Sequence, residues 1–175
     1  MTGIKTDRLI LRPLRIDDAE ALVSLAGDIA VSRQTSRIPN PYTLEAAETW
    51  IASIADGAEV SYAIELDGAL IGTIGHKPVD TGVVELGYWL GKEFWGRSYA
   101  SEAARGLVEI IFYNPDIRTI IGTHAKDNPG SRRVIEKLGF QLIGDCVCYS
   151  LARDADVPCM RHQLHRDEYF RRKTT

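Results

Sequence analysis

The chain has 175 residues, with 21 Lys and Arg against 24 Asp and Glu, for a formal net charge of −3. That length suits one domain with a sizeable core, and the acidic balance argues against general nucleic-acid binding. No apolar run reaches membrane-spanning length and Met1 to Lys5 opens no signal-peptide core, so a cytoplasmic location is the default expectation.

Thr6 to Leu14 (TDRLILRPL) alternates as a first strand and turns edge-like at Pro13. Asp17, with Glu20 as capping-box partner, opens a helix whose buried stripe is Ala21, Leu22, Leu25 and Ala26 and whose stop is Gly27. Val31 to Tyr42 is rich in Ser, Arg and Pro and reads as a surface loop. A second helix starts at Thr43, aligns Ala47, Trp50, Ile51 and Ile54 on one face, and ends near Gly57. Val60–Leu66 and Leu70–His76 are strands joined by Asp67-Gly68, a strong hairpin signal.

Val83 to Leu90 is a third strand in this meander. Gly91 to Ser98 is a loop, and a helix follows in which Ala100, Ala103, Ala104, Leu107, Val108, Ile111 and Phe112 recur at three- and four-residue steps. Asn114-Pro115 ends it, because proline lacks the amide hydrogen. Arg118 to His124 is β-branched and strand-like, and a strand–helix–strand unit of this length implies a parallel crossover. Asn128 as N-cap, Pro129 at the first helical position and Gly139 past the end delimit another helix. Gln141–Ala152 and Val157–His165 form a closing hairpin, and the basic residues from Arg166 to Lys173 read as a solvated tail. The expected architecture is one α/β (α+β) domain over residues 1–175, with a mixed, mostly antiparallel sheet flanked by helices.

A strand, a glycine-containing loop and a helix N-terminus also make an anion site. The first helical amides lack intrahelical partners and the helix dipole favours negative charge there. Arg97 and Lys92 add mobile positive charge, so a phosphate or pyrophosphate is the natural guest. A plain strand-to-helix turn fits the same residues. Neither a Walker loop nor a GxGxxG fingerprint is present. Cys146, Cys148 and Cys159 are an odd number without framework spacing, as in a reducing compartment, and Cys-x-Cys is not a usual zinc spacing; no metal is expected.

The phrases TDRLILRPL, LGYWL…WGRSYASEA and NPGSRRVIEKLGF occur in an order and spacing that resemble the GNAT family of N-acetyltransferases, in its RimJ/RimL-type branch. The resemblance implies a sheet splayed between its fourth and fifth strands and acetyl-CoA as co-substrate. The coenzyme loop would fall on Trp95, Gly96, Arg97, Ser98, Tyr99 and Ala100. Its pantetheine arm would meet main-chain groups of Tyr88, Trp89 and Leu90, and Asn128 would meet it from the following helix. Two positions depart from the family pattern: Trp95 replaces a polar residue and Ser98 replaces a glycine. Ser98 is expected as a favoured N-cap whose hydroxyl faces the phosphate, in preference to a strained left-handed residue.

Acetyl transfer to an amine needs a base for the ammonium proton and help for the departing thiolate. Glu85, on the coenzyme-facing strand, is the first candidate base, ahead of Glu93. The family's acidic tyrosine is replaced here by Ile135, so Ser131, the serine that the resemblance offers, is the candidate acid, ahead of Tyr149. Arg33, Arg37 and Tyr42 would border the acceptor, a primary amine on a protein N-terminus or small molecule. A non-catalytic acyl-CoA-binding regulator on the same fold and a general nucleotide-phosphate binder are the competing readings. No nucleic-acid or membrane partner is expected, and a homodimer through the terminal hairpin is compatible with the pattern.

Overall fold

The computed structural model describes residues 3–57 and 59–173. Eight strands form one sheet: β1 (Ile4–Lys5), β2 (Leu9–Pro13), β3 (Val60–Leu66), β4 (Ala69–Asp80), β5 (Val83–Leu90), β6 (Thr119–Ala125), β7 (Gln141–Ser150) and β8 (Ala155–His165). Their order is β1-β2-β3-β4-β5-β6-β8-β7, and every neighbouring pair is antiparallel except β5–β6. The parallel pair is the one expected from the strand–helix–strand unit. Six α-helices flank the sheet among the described residues: α1 (Ala19–Ala26), α2 (Ile29–Ser32), α3 (Leu44–Ala55), α4 (Tyr99–Tyr113), α5 (Pro129–Lys137) and α6 (Arg166–Lys173).

Two cores form on the two faces of the sheet. The larger one packs Ala103, Ala104, Leu107, Val108, Ile111 and Phe112 of α4, the residues of the periodic stripe, against Leu9, Leu11, Ile64, Ile74, Leu86 and Ile120. The smaller one seats Leu22, Ala26, Ala47 and Ile51 of α1 and α3 over Leu70 and Trp89. Fully burying one such aliphatic or aromatic side chain contributes about 1.5–3 kcal/mol, so α4 is fixed chiefly by its apolar face.

Three local expectations are corrected. The α1 entrance is organised by Asp18, not Asp17: its carboxylate accepts from Arg15 N at 2.7 Å and from both terminal nitrogens of Arg12 at 2.8 and 2.7 Å. Arg12 also donates Nε to Glu65 at 2.6 Å, so the cap joins β2 to β3. Val31 to Tyr42 begins inside α2, whose N-cap Asp28 accepts from Ala30 N. The basic C-terminal stretch is the helix α6, docked by buried Tyr169 against the ring of Phe112 at 5.3 Å. Its cations have partners: Arg166 on Phe112 O, Arg172 on Gly139 O and Lys173 on Glu109. By contrast, the α3 start at Thr43 and the Asn128 cap stand where the sequence placed them, and Gly139, expected just past the end of α5, is left-handed (φ 85°).

Burial lowers the His76 and His162 imidazoles below their ordinary value, and the facing His124 lowers His162 further. The unfolded chain therefore binds protons first, so this contribution to stability is whole above about pH 6.5 and is lost as pH falls below it. Burial alone would raise Asp18 and Glu59, but hydrogen bonds from Arg12 and Arg15, and from Arg37 and Trp50, bring both carboxylates below their ordinary range. Their contribution is present above about pH 4 and is lost as pH falls further. Urea midpoints should therefore decline in two stages on acidification, and His162→Gln should shrink the upper stage. A midpoint that holds steady between about pH 7 and pH 5 would contradict the histidine assignment.

Candidate active site

The site begins where two strands part. β5 pairs with β6 only from Val83↔Thr119 to Leu86↔Gly122. Beyond that, β5 stays paired with β4 as far as Leu90↔Gly72, and β6 stays paired with β8 as far as Ala125↔Cys159. Each strand is held by its outer neighbour while a gap opens between them. A cavity of about 1040 Å³ occupies the gap and reaches both faces of the sheet. Gly87, the first residue past the last β5–β6 pair, is exposed in a central strand, and a Cβ there would meet no atom within 4 Å.

Side chains alternate along a strand and directly opposed residues share a face. The register therefore puts Leu86, Tyr88 and Leu90 on the α4 face, with Ile74 and His76. Glu85, Gly87 and Trp89 lie on the α3 face, with Lys77, Gly75 and Thr73.

On the α4 face, the loop after β5 turns back under two left-handed residues, Gly96 (φ 76°) and Ser98 (φ 65°). Trp95 Nε1 donates to Leu90 O at 2.8 Å, which ties the loop to the end of the strand. Ser98 is the N-cap of α4 as expected, but it is also left-handed and makes no side-chain cap bond. The expectation of a relaxed capping serine in preference to a left-handed one is therefore corrected: the turn takes a left-handed residue here, and the hydroxyl makes no bond to the helix amides. Trp95, Gly96, Ser98, Tyr99 and Ala100 line the cavity, as do Tyr88, Trp89, Leu90 and Asn128. Arg97 is not part of that wall, and its carbonyl accepts both terminal nitrogens of Arg8 at 3.2 Å.

That Arg8 contact belongs to a clamp. Glu102, in the first turn of α4, accepts from Thr6 Oγ1 at 2.6 Å, Arg8 N at 2.7 Å and Arg8 Nε at 2.7 Å. The Arg8 guanidinium also lies 4.5 Å over the Tyr99 ring. Thr6 and Arg8, read in the sequence as ordinary strand vocabulary, thus fasten the loop and the helix start. Glu102 was the available signal, a carboxylate in the first turn of a helix beside a dipole that favours it.

From α5, Asn128 Oδ1 accepts from Ser131 N at 3.0 Å. The Ser131 hydroxyl lies 2.9 Å from the Tyr88 hydroxyl across the gap. Burial pushes the Tyr88 phenol up to about 12. The Tyr88 side chain was missed in the sequence, where only its main chain entered the coenzyme slot.

On the α3 face, Glu85 accepts from Thr123 Oγ1 at 2.9 Å and pairs with Lys77 Nζ at 3.1 Å. Arg37 pairs with buried Glu59 at 2.6 Å, and Trp50 Nε1 donates to the same carboxylate at 3.0 Å. Arg33, Arg37, Tyr42 and Trp50 all border the cavity. An arch closes over this side: Ser150 Oγ donates to Thr35 O, Leu151 N to Ser36 O, and Arg153 Nε to Arg33 O. Arg153 is anchored in turn by Asp127 at 2.7 and 3.0 Å.

The remaining candidates sort by position. Glu93 and Tyr149 lie outside the cavity wall, and the Tyr149 hydroxyl bonds Asp154. Cys148 and Cys159 do face the cavity, but burial pushes the Cys148 thiol up to about 11 and raises Cys159 as well. Thiols held protonated are poor nucleophiles, which argues against a covalent route. Among the described residues, no group of three or more His, Cys, Asp and Glu is placed to hold a metal ion. No described helix is long and apolar enough to cross a membrane.

A cavity through a sheet, with a carboxylate on one face and a helix N-terminal loop on the other, suits transfer between two ligands that arrive from opposite sides. Residues 8–141 match the Acetyltransferase (GNAT) domain. The chain belongs to the GNAT acetyltransferase family. Its activity class is accordingly acetyl-CoA-dependent N-acetyl transfer. Among curated GNAT relatives, the uncharacterized N-acetyltransferase YoaA of Bacillus subtilis is 31% identical over 81% of this chain and 84% of its own length. The uncharacterized N-acetyltransferase p20 of Bacillus licheniformis is 28% identical over 97% of this chain and 99% of its own. In fold, the chain is similar to the RimL ribosomal-protein alpha-N-acetyltransferase in complex with coenzyme A, with a TM-score of 0.84 at 20% identity over 95% of this chain and 99% of that one.

Two predictions follow from the loop. Glycine is relaxed where Ser98 is left-handed, so Ser98→Gly should raise unfolding stability by about 1 kcal/mol, read as a higher urea midpoint. Arg8→Ala should free the Arg97 carbonyl and speed native-state tryptic cleavage after Arg97 by about tenfold; unchanged cleavage would show that the clamp does not hold the loop.

Proposed function

We propose that this chain is a RimJ/RimL-type N-acetyltransferase that moves an acetyl group directly from acetyl-CoA to a primary amine in a ternary complex. The observation that carries the reading is the passage between β5 and β6, which brings Glu85 on one face into the same cavity as Ser131 and the α4 loop on the other. The loop from Trp95 to Ala100, with its unpartnered helix amides, takes the pyrophosphate. Tyr88, Trp89 and Leu90 offer their β6-facing main chain to the pantetheine arm, and Asn128 offers its amide. The open space above Gly87 admits the reacting centre.

Glu85, steadied by Lys77 and Thr123, takes the proton that the amine nitrogen must lose. The nitrogen–carbon bond forms as the carbon–sulfur bond breaks, and the electron pair leaves on sulfur beside Ser131. Positioning both reactants in one cavity supplies several kcal/mol of the rate enhancement. The acceptor enters from the α3 face, past Arg33, Arg37 and Tyr42, and the RimL neighbour favours a protein N-terminus over other slender amines. The cytoplasm is the proposed site of action. The exposed Leu142, Val147 and Tyr149 on edge strand β7 are the surface that a homodimer through the terminal hairpin would use.

Isothermal titration should show one-site binding of acetyl-CoA, with ADP and pantetheine each binding far more weakly. ADP binding as tightly as acetyl-CoA would replace this reading with a nucleotide-phosphate binder. Once an amine substrate is in hand, Glu85→Gln should lower kcat by about 10²–10⁴ and leave acetyl-CoA affinity unchanged. Acetyl-CoA binding without turnover of any amine would favour the regulator.

A further inference from the structure

Tyr88 and Ser131 are each placed by other contacts as well as by their own pair. Ser131 N is capped by Asn128, and the Tyr88 ring packs against the larger core. Their hydroxyls nevertheless meet at 2.9 Å on the wall of the cavity, on the face opposite Glu85. Tyr88 Oη is also 3.3 Å from Ser131 O. This leaves two arrangements of two protons. Tyr88 can donate to the serine carbonyl while the serine hydroxyl donates back to Tyr88, which turns no proton to the cavity. Alternatively Tyr88 donates to Ser131 Oγ, and the serine proton is free to point into the gap. Anionic charge in the gap selects the second arrangement, in which each hydrogen bond strengthens the next.

We infer that Tyr88 is a positioning residue that turns the Ser131 hydroxyl toward the leaving sulfur, so that this enzyme releases coenzyme A as a hydrogen-bonded thiolate. The inference rests on the coenzyme reading above. Its balance differs from acid catalysis. The phenol, pushed up to about 12, and the still less acidic serine hydroxyl both keep their protons against an alkyl thiol, which is the stronger acid. The carbon–sulfur electron pair therefore stays on sulfur, stabilised by the Ser131 O–H. With the amine entering as the neutral base, its ammonium proton already given up to water, the only proton that moves in the transfer step leaves nitrogen on the other face, toward Glu85.

The test reads the bound thiol itself and needs no acceptor. Coenzyme A bound to the full chain is titrated with pH by its thiolate ultraviolet absorbance, with desulfo-coenzyme A as the blank. In the wild type, the thiolate-to-thiol ratio at a given pH should exceed that of free coenzyme A by about tenfold, the effect of one hydrogen bond to a charged group. Tyr88→Phe and Ser131→Ala should each remove most of that gain, the double variant should remove no more than Ser131→Ala alone, and Ser131→Thr should restore it. A bound thiol that titrates alike in wild type and Tyr88→Phe overturns the inference and leaves the coenzyme reading intact. If Tyr88→Phe fails to fold, a Ser131→Ala titration equal to wild type overturns it instead. Absence of coenzyme A binding to the wild type would overturn the coenzyme reading, and this inference with it.

Discussion

The structure depends on one constraint: β5 and β6 are parallel neighbours for only four residue pairs. Neither strand can follow the other further, because β4 holds one and β8 holds the other along their remaining length. A parting of this kind exposes main-chain groups in the middle of a sheet, where they would ordinarily be paired. It is tolerated because ample core is buried on both faces, with α4 anchoring one side and α1 and α3 the other. The same parting allows a reaction to be divided between faces. The carboxylate and the hydroxyl pair are separated by the sheet and still open onto one space.

The loop before α4 shows how local strain is held in place. Ser98 adopts a conformation that disfavours side chains, yet the residues around it leave no alternative. Trp95 is fixed to Leu90, the Arg97 carbonyl to Arg8, and the first helical turn to Thr6 through Glu102. Three contacts from elsewhere in the chain over-determine a turn that its own sequence disfavours. On the proposed reading, a loop held in this way aims its amides in advance, which would lower the ordering cost of binding an anion.

Much of this was legible in the sequence, for identifiable reasons. Periodicity located α4 because its apolar stripe is continuous, and cap chemistry located α5 because Asn128, Pro129 and Gly139 are each specific to one position. The parallel pair followed from the length of the crossover. Contacts between distant residues left no such mark. Asp17 and Asp18 are adjacent carboxylates in the text, and the Arg12 guanidinium and the Arg15 amide that select Asp18 are contacts of the folded chain. The C-terminal stretch is dominated by charge, which hid the single buried Tyr169 that makes it a helix of the core. Glu85 was read from its strand, but Lys77 and Thr123, which steady it, come from neighbouring strands and could be found only through register. Tyr88 was found for its backbone, while its hydroxyl partner lies 43 residues away.

The arch between residues 33–36 and the tip of the β7–β8 hairpin has a geometric consequence for what can be acetylated. It converts one mouth of the cavity from a trench into a ring of chain, closed by Ser150, Leu151 and Arg153. A trench accepts a ligand laid sideways along its length. A ring accepts only something threaded end-on, and so measures a guest by its cross-section while remaining indifferent to what trails behind. On the proposed reading, a long polypeptide and a short amine would then both be admissible, provided each leads with a slender, unbranched end.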